Sequence, residues 1–139
     1  MRHVAGYTIS NDVSERGSST SRAGSGRRAS ARPRSTWWAR YLVPVDRVDP
    51  RGLRIRSAVN GEARQDSSTA DMIFDVPFLV WHISQFMALE PGDVINTGTP
   101  EGVALSGRFP YLRDGDEMSL SIDGLGEQRQ AVRGAATAA

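Results

Sequence analysis

The sequence contains no cysteine and no lysine. The first absence excludes disulfides, thiolate nucleophiles, zinc–thiolate sites and iron–sulfur clusters together. The second excludes chemistry that needs a lysine amine, because all 17 basic residues are arginine. Long apolar runs are missing as well. Nothing approaches the roughly 18 apolar residues of a transmembrane helix, and residues 1–7 lack the apolar stretch of a secretory signal. These absences predict a cytoplasmic protein with no membrane partner. No acidic residue occurs between Gly17 and Val45.

What is present divides the chain. Residues 16–40 hold seven arginines and six serines, with no aromatic or branched aliphatic residue before Trp37. Such a stretch has little to bury and reads as a disordered Arg/Ser-rich insert over 17–40. The tail 134–139, mostly alanine, has nothing to anchor it. The rest reads as a single domain with a modest core, since 39% of the 139 residues are hydrophobic.

The body after Tyr41 reads mainly as strand. Residues 53–59 alternate apolar and polar, and Asn60-Gly61 tolerates the positive φ of a type I′ turn, so 62–65 returns antiparallel. One helix is expected near 77–89. Asp75 or Val76 caps it, Leu79, Ile83, Phe86 and Met87 form its buried stripe, and Pro91-Gly92 stops it. Further strands are expected at 93–97, 117–122 and 127–132.

Three constellations can carry chemistry. Asn11-Asp12 ends a strand, and Ser14, Glu15 and Arg16 follow. A carboxylate there suits a hard cation, and an arginine four residues on can grip a substrate carboxylate. The same residues also read as an Asx turn with solvated charges. In Thr97-Gly98-Thr99-Pro100-Glu101-Gly102, Gly98 lets the backbone approach an anion and Thr99 can donate to a carboxylate, although an ordinary Gly/Pro turn has this composition too. Trp37-Trp38 beside the arginine run would suit nucleic acid, against a solvated segment with no partner. His82 reads as a packing residue beside the apolar stripe.

Read together, these segments resemble the fumarylacetoacetate hydrolase family. Residues 6–16, GYTISNDVSER, look like its G-Y-x-x-x-N-D-x-S-x-R strand. Residues 59–65, VNGEARQ, look like its hairpin, and 89–103, LEPGDVINTGTPEGV, like its most recognisable stretch. The order continues through Tyr111-Leu112 and Gly115-Asp116 to Gly124-Leu125-Gly126. Within the family, NDVSER and GLGEQRQ resemble bacterial 2,4-diketo-3-deoxy-L-fuconate hydrolase and ureidoglycolate lyase-like members.

The resemblance implies a β-rich mixed α/β fold, the mixed β-roll, and an enzyme that uses Mg²⁺ or Mn²⁺ to cut C–C bonds in 2-oxo or 2,4-dioxo acids, usually as a homodimer. By position it implies Asp12 as a metal carboxylate, with Arg16 and Thr99 as substrate contacts. No nucleic-acid partner is expected. It also implies features that this sequence does not display: a Glu-x-Glu strand and a Glu/His lid before the Gly-Tyr motif, and a lysine that would fall near Ser30. These departures predict a truncated domain with impaired activity, and the insert between two matching flanks predicts a compensated frameshift in a GC-rich gene. The rivals are an inactive structural partner of an intact paralogue and, less favoured, an Arg-rich nucleic-acid-binding protein.

Overall fold

The computed structural model describes residues 3–14 and 36–134. Arg16, residues 17–35 of the expected insert and residues 135–139 of the tail lie outside the described residues. The strands are β1 (Gly6–Tyr7), β2 (Ser10–Asp12), β3 (Thr36–Trp38), β4 (Val43–Pro44), β5 (Arg54–Val59), β6 (Glu62–Ser68), β7 (Glu117–Ile122) and β8 (Gly126–Ala131). One α-helix, α1 (Val76–Ser84), and two short 3₁₀ turns complete the described elements.

The expected hairpin is present and anchors the largest sheet, ordered β6-β5-β7-β8 with every pair antiparallel. Asn60 and Gly61 both take positive φ, 52° and 80°, as the tight turn requires. The turn is also fastened to the next strand. The Asn60 side-chain amide donates to Asp116 Oδ1 at 2.8 Å, and the Glu117 amide donates to Asn60 Oδ1 at 2.9 Å. The return strand runs to Ser68, three residues beyond the expected 65, because Leu53 and Thr69 close its far end: the Leu53 amide donates to Thr69 Oγ1 at 2.8 Å.

Alternation assigns two faces to this sheet. Ile55, Ser57 and Val59 lie on one face with Ile122, Leu120 and Met118 opposite them, and Gln65, Gln128 and Gln130 extend the same rows. The other face is charged and exposed. Arg54 pairs with Asp66, Arg56 with Asp123, and Arg129 with Glu117. Two short ribbons, β1-β4 and β2-β3, precede the sheet, and β2 meets its apolar face, where Asn11 reaches β7 and β8. Ile9, Met118 and Leu125 form the buried apolar core of the described residues.

Four expectations change. Thr36–Trp38, placed in the structureless insert, form β3 and pair with β2, with Asp12 opposite Thr36; strand β2 offers them an edge that composition does not reveal. The helix ends at Ser84 rather than near 89. The amides of Gln85 and Phe86 bond to the carbonyls three residues back, His82 and Ile83, and this tightening closes the helix before Pro91 can stop it. Asp93–Thr97 is not a strand. Asp93 instead closes a turn, accepting from the Glu90 amide at 2.7 Å, and no strand edge among the described residues pairs with 94–97. The stripe is only partly covered: Leu79 and Ile83 are half-buried, whereas Phe86 and Met87 are exposed. Asp75 does cap α1, accepting from the Phe78 amide at 2.9 Å. Among the described residues no helix is long and apolar enough to cross a membrane.

Candidate functional site

The loop 97–102 is seated by two features of β6. The first is a bulge. Ser57 faces Gln65 while Ala58 faces Ala63, so Arg64 is the unmatched residue. Gly102, at φ 106°, crosses directly over Arg64, where a Cβ would fall on the Arg64 carbonyl oxygen. Only glycine permits this approach. The second feature is the Gln65 side chain. Its Nε2 donates to Thr99 Oγ1 at 2.8 Å and to the Pro100 carbonyl at 2.9 Å, while Ser57 Oγ donates to its Oε1 at 2.8 Å. Thr99 itself is exposed. A hydroxyl held on a fixed loop and open to solvent can donate to an anionic ligand.

Strand β2 carries the second nominated residue. Asn11 Nδ2 donates to Gln130 Oε1 at 2.6 Å and lies 3.6 Å from Met118 Sδ, which fixes β2 over β7 and β8. Asp12 follows as the last residue of β2 and is exposed. Gln65, Met118 and Gln130 share one face of the sheet, so β2 and the Thr99 loop are both anchored to that face, at opposite sides of it. Arg16 lies outside the described residues.

Electrostatics around these anchors is local. Arg64 is nearly enclosed, with its side chain 10% exposed, its Nη2 3.1 Å from Glu62 Oε2 and its guanidinium 4.4 Å above the Phe109 ring. Its Nε and Nη1 are buried with no hydrogen-bond partner among the described residues. Burial pushes the Tyr7 phenol up, and the negative charge of Asp49 adds to this, so Tyr7 is neutral at physiological pH. Hydrogen bonds from Asn60 and the Arg113 amide hold Asp116 below the ordinary carboxylate range.

The donor set does not complete a metal centre. Among the described residues no group of three or more His, Asp or Glu comes together to hold a cation. Asp12 supplies one carboxylate, and Mg²⁺ or Mn²⁺ held by a single carboxylate keeps most of its water.

Sequence reasoning nominated Thr99 and Asp12 but gave no role to Gln65, Ser57 or Asn11. The signal was available in the alternation. Ser57 and Gln65 occupy positions that point to the apolar face, and a polar group there must find a partner. His82 is exposed, and its ring lies 5.8 Å from Phe78 and 5.0 Å from Phe86.

Comparison with known proteins agrees with this architecture. The model of the fumarylacetoacetate (FAA) hydrolase C-terminal family matches residues 1–133. The 4-hydroxyphenylacetate degradation bifunctional isomerase/decarboxylase of Salmonella dublin is 43% identical over 127 residues, covering 91% of this chain and 28% of that protein. The fumarylacetoacetate hydrolase of psychrophilic Exiguobacterium antarcticum has a TM-score of 0.88 at 37% identity, over 95% of this chain and 48% of its own. Maleylpyruvate hydrolase from Sphingobium sp. SYK-6, in complex with manganese(II) ion and pyruvate, has a TM-score of 0.79 at 33% identity, over 94% of this chain and 44% of its own. The chain thus spans half or less of the length of these relatives. It shares their β-rich fold, and it belongs to the fumarylacetoacetate hydrolase C-terminal family.

Proposed function

We propose that this chain carries the carboxylate-binding part of a site for 2-oxo or 2,4-dioxo acids, in an enzyme class that cuts C–C bonds with Mg²⁺ or Mn²⁺. Thr99 donates its hydroxyl to the substrate carboxylate, Arg16 pairs with the substrate, and Asp12 contributes one carboxylate to the cation. When bound, the cation supplies Lewis-acid stabilisation of an enolate. The observation that carries the reading is the exposed Thr99 hydroxyl, held by Gln65 on the sheet face that also anchors β2. The manganese and pyruvate bound to a 33% identical relative support the substrate class and the divalent cation.

The same reading gives the isolated chain weak turnover. It has no lysine to place beside the substrate, and its described residues do not assemble a set of metal ligands. The working form is a cytoplasmic homodimer in this reading. The test is a titration with pyruvate followed through the amide resonances of Gly98 and Thr99, together with an acylpyruvate hydrolysis assay in Mg²⁺ or Mn²⁺. Pyruvate should shift those resonances, Thr99→Val should weaken binding about 10- to 100-fold, consistent with one hydrogen bond to a charged group, and turnover should be slow. Pyruvate that leaves the 97–102 loop unperturbed would overturn the reading.

A further inference from the structure

Gln65 makes three hydrogen bonds, and together they leave its amide a single orientation. The Pro100 carbonyl can only accept, so the atom 2.9 Å from it must be the amide nitrogen. The Ser57 hydroxyl, 2.8 Å from the other end, then donates to the amide oxygen. Both hydrogens of Nε2 are thereby committed, one to Pro100 and one to Thr99 Oγ1 at 2.8 Å. Thr99 Oγ1 is therefore an acceptor toward the sheet. Its own hydrogen has to point elsewhere, and the exposed side of the loop is where it can find an acceptor.

We infer that Gln65 is a positioning residue: it occupies one of the two acceptor positions of the Thr99 hydroxyl and fixes its oxygen, leaving the hydrogen free to donate to an anionic oxygen, a carboxylate or enolate. The inference deepens the function proposed above and rests on it for the identity of the ligand. With Gln65 donating to it, the oxygen is held in place and its hydrogen is left for an incoming anionic oxygen. Ser57 completes the relay by fixing which end of the amide faces the loop. This sequence of donors, Ser57 to Gln65 to Thr99 to ligand, costs no reorganisation when the ligand arrives.

The experiment has a ligand-free arm and a ligand arm, both on the full chain. In the first, three-bond couplings report the χ1 angle of Thr99. A single rotamer is expected in the wild type, with averaging in Gln65→Leu and partial averaging in Ser57→Ala. An averaged Thr99 in the wild type would overturn the inference regardless of any ligand. In the second arm, pyruvate affinity is measured for Gln65→Leu, Thr99→Val and the double variant. Gln65→Leu should weaken binding about 5-fold, and the double variant should be no weaker than Thr99→Val alone, since Gln65 acts through that hydroxyl. Fold-losses that multiply would show Gln65 acting independently of Thr99 and contradict the inference. A fixed rotamer with no pyruvate response in any protein would uphold the clasp and refute the carboxylate-binding reading, which separates the two failures.

Discussion

The four-stranded sheet and helix α1 use similar amounts of apolar sequence to different ends. In the sheet, each strand finds its neighbour within the chain, and one face meets β2 and the Thr99 loop while the other is dressed in ion pairs. Helix α1 and its flanks run from Val76 to Leu89 without a charged residue, yet Phe74, Phe78, Trp81, Phe86 and Met87 are exposed. Their rings stack on one another along the helix, from Phe74 through Phe78 and His82 to Phe86, rather than on a strand. A strand's hydrogen bonds tie it to a partner, whereas a helix satisfies its own backbone and can stand without one. The contrast divides the molecule into a part whose stability is internal and a part whose apolar face makes little use of the described residues.

The largest effects should fall in the first part. Ile9→Ala should cost about 3 kcal/mol, because Ile9 is 2% exposed and its loss leaves a cavity beneath β2. Urea unfolding measures this, and a cost below about 1 kcal/mol would show that the N-terminal ribbons do not share the sheet's core. Gly102→Ala should cost about 2 kcal/mol, since it adds left-handed strain and sets a methyl against the Arg64 carbonyl. The same variant should lose pyruvate binding, because the loop carrying Thr99 can no longer cross β6.

The second part should respond oppositely. Phe86→Ser, at a residue 75% exposed, should change stability by less than about 0.5 kcal/mol while reducing the binding of hydrophobic dyes. A loss above about 1.5 kcal/mol would mean that the helix face is covered in solution and would remove the contrast. Arg64→Met sharpens the comparison within the sheet. It removes an ion pair with exposed Glu62 but also two buried N–H groups without partners, so a net change within about 1 kcal/mol is expected.

Acid should act mainly on the sheet and its turns. Asp66 is held below 3.8 by hydrogen bonds from Arg54, Asp71 by Ser67 and the Ser68 amide, and Asp116 by Asn60 and the Arg113 amide. Asp49, paired with Arg51, is lowered to about 2. A carboxyl depressed on folding stabilises the native state above its unfolded value, and that contribution is lost as pH falls through its folded value. Stability should therefore be level from neutral pH down to about 4 and fall between about 4 and 2, the window these shifts define. Asp49, Asp66 and Asp71 are solvent-exposed and Asp116 is half-buried, so the fall should be shallow and should shrink in high salt.

The same division explains how much could be read from the sequence. The β5–β6 hairpin and β7 were legible because alternation and the Asn60-Gly61 turn are local features, and Asp75 was legible as a cap for the same reason. Strand β3 was not, since Thr36–Trp38 become strand only by pairing with β2, across residues whose composition argued against structure. The 93–97 strand failed for the converse reason: its residues favour extension, but no described edge receives them. At the site, Thr99 and Asp12 stood out as chemically useful residue types near turns. Gln65 did not, because its role depends on a loop more than thirty residues away meeting it across β6.

The most direct test of the central claim, that the described residues bind the acid end of the substrate but do not build a metal centre, is a calorimetric Mn²⁺ titration of the wild type and Asp12→Ala. Weak binding is expected, in the millimolar range of a cation held by one carboxylate, with slow acylpyruvate hydrolysis in both proteins. Micromolar Mn²⁺ affinity with efficient hydrolysis, both lost in Asp12→Ala, would contradict it.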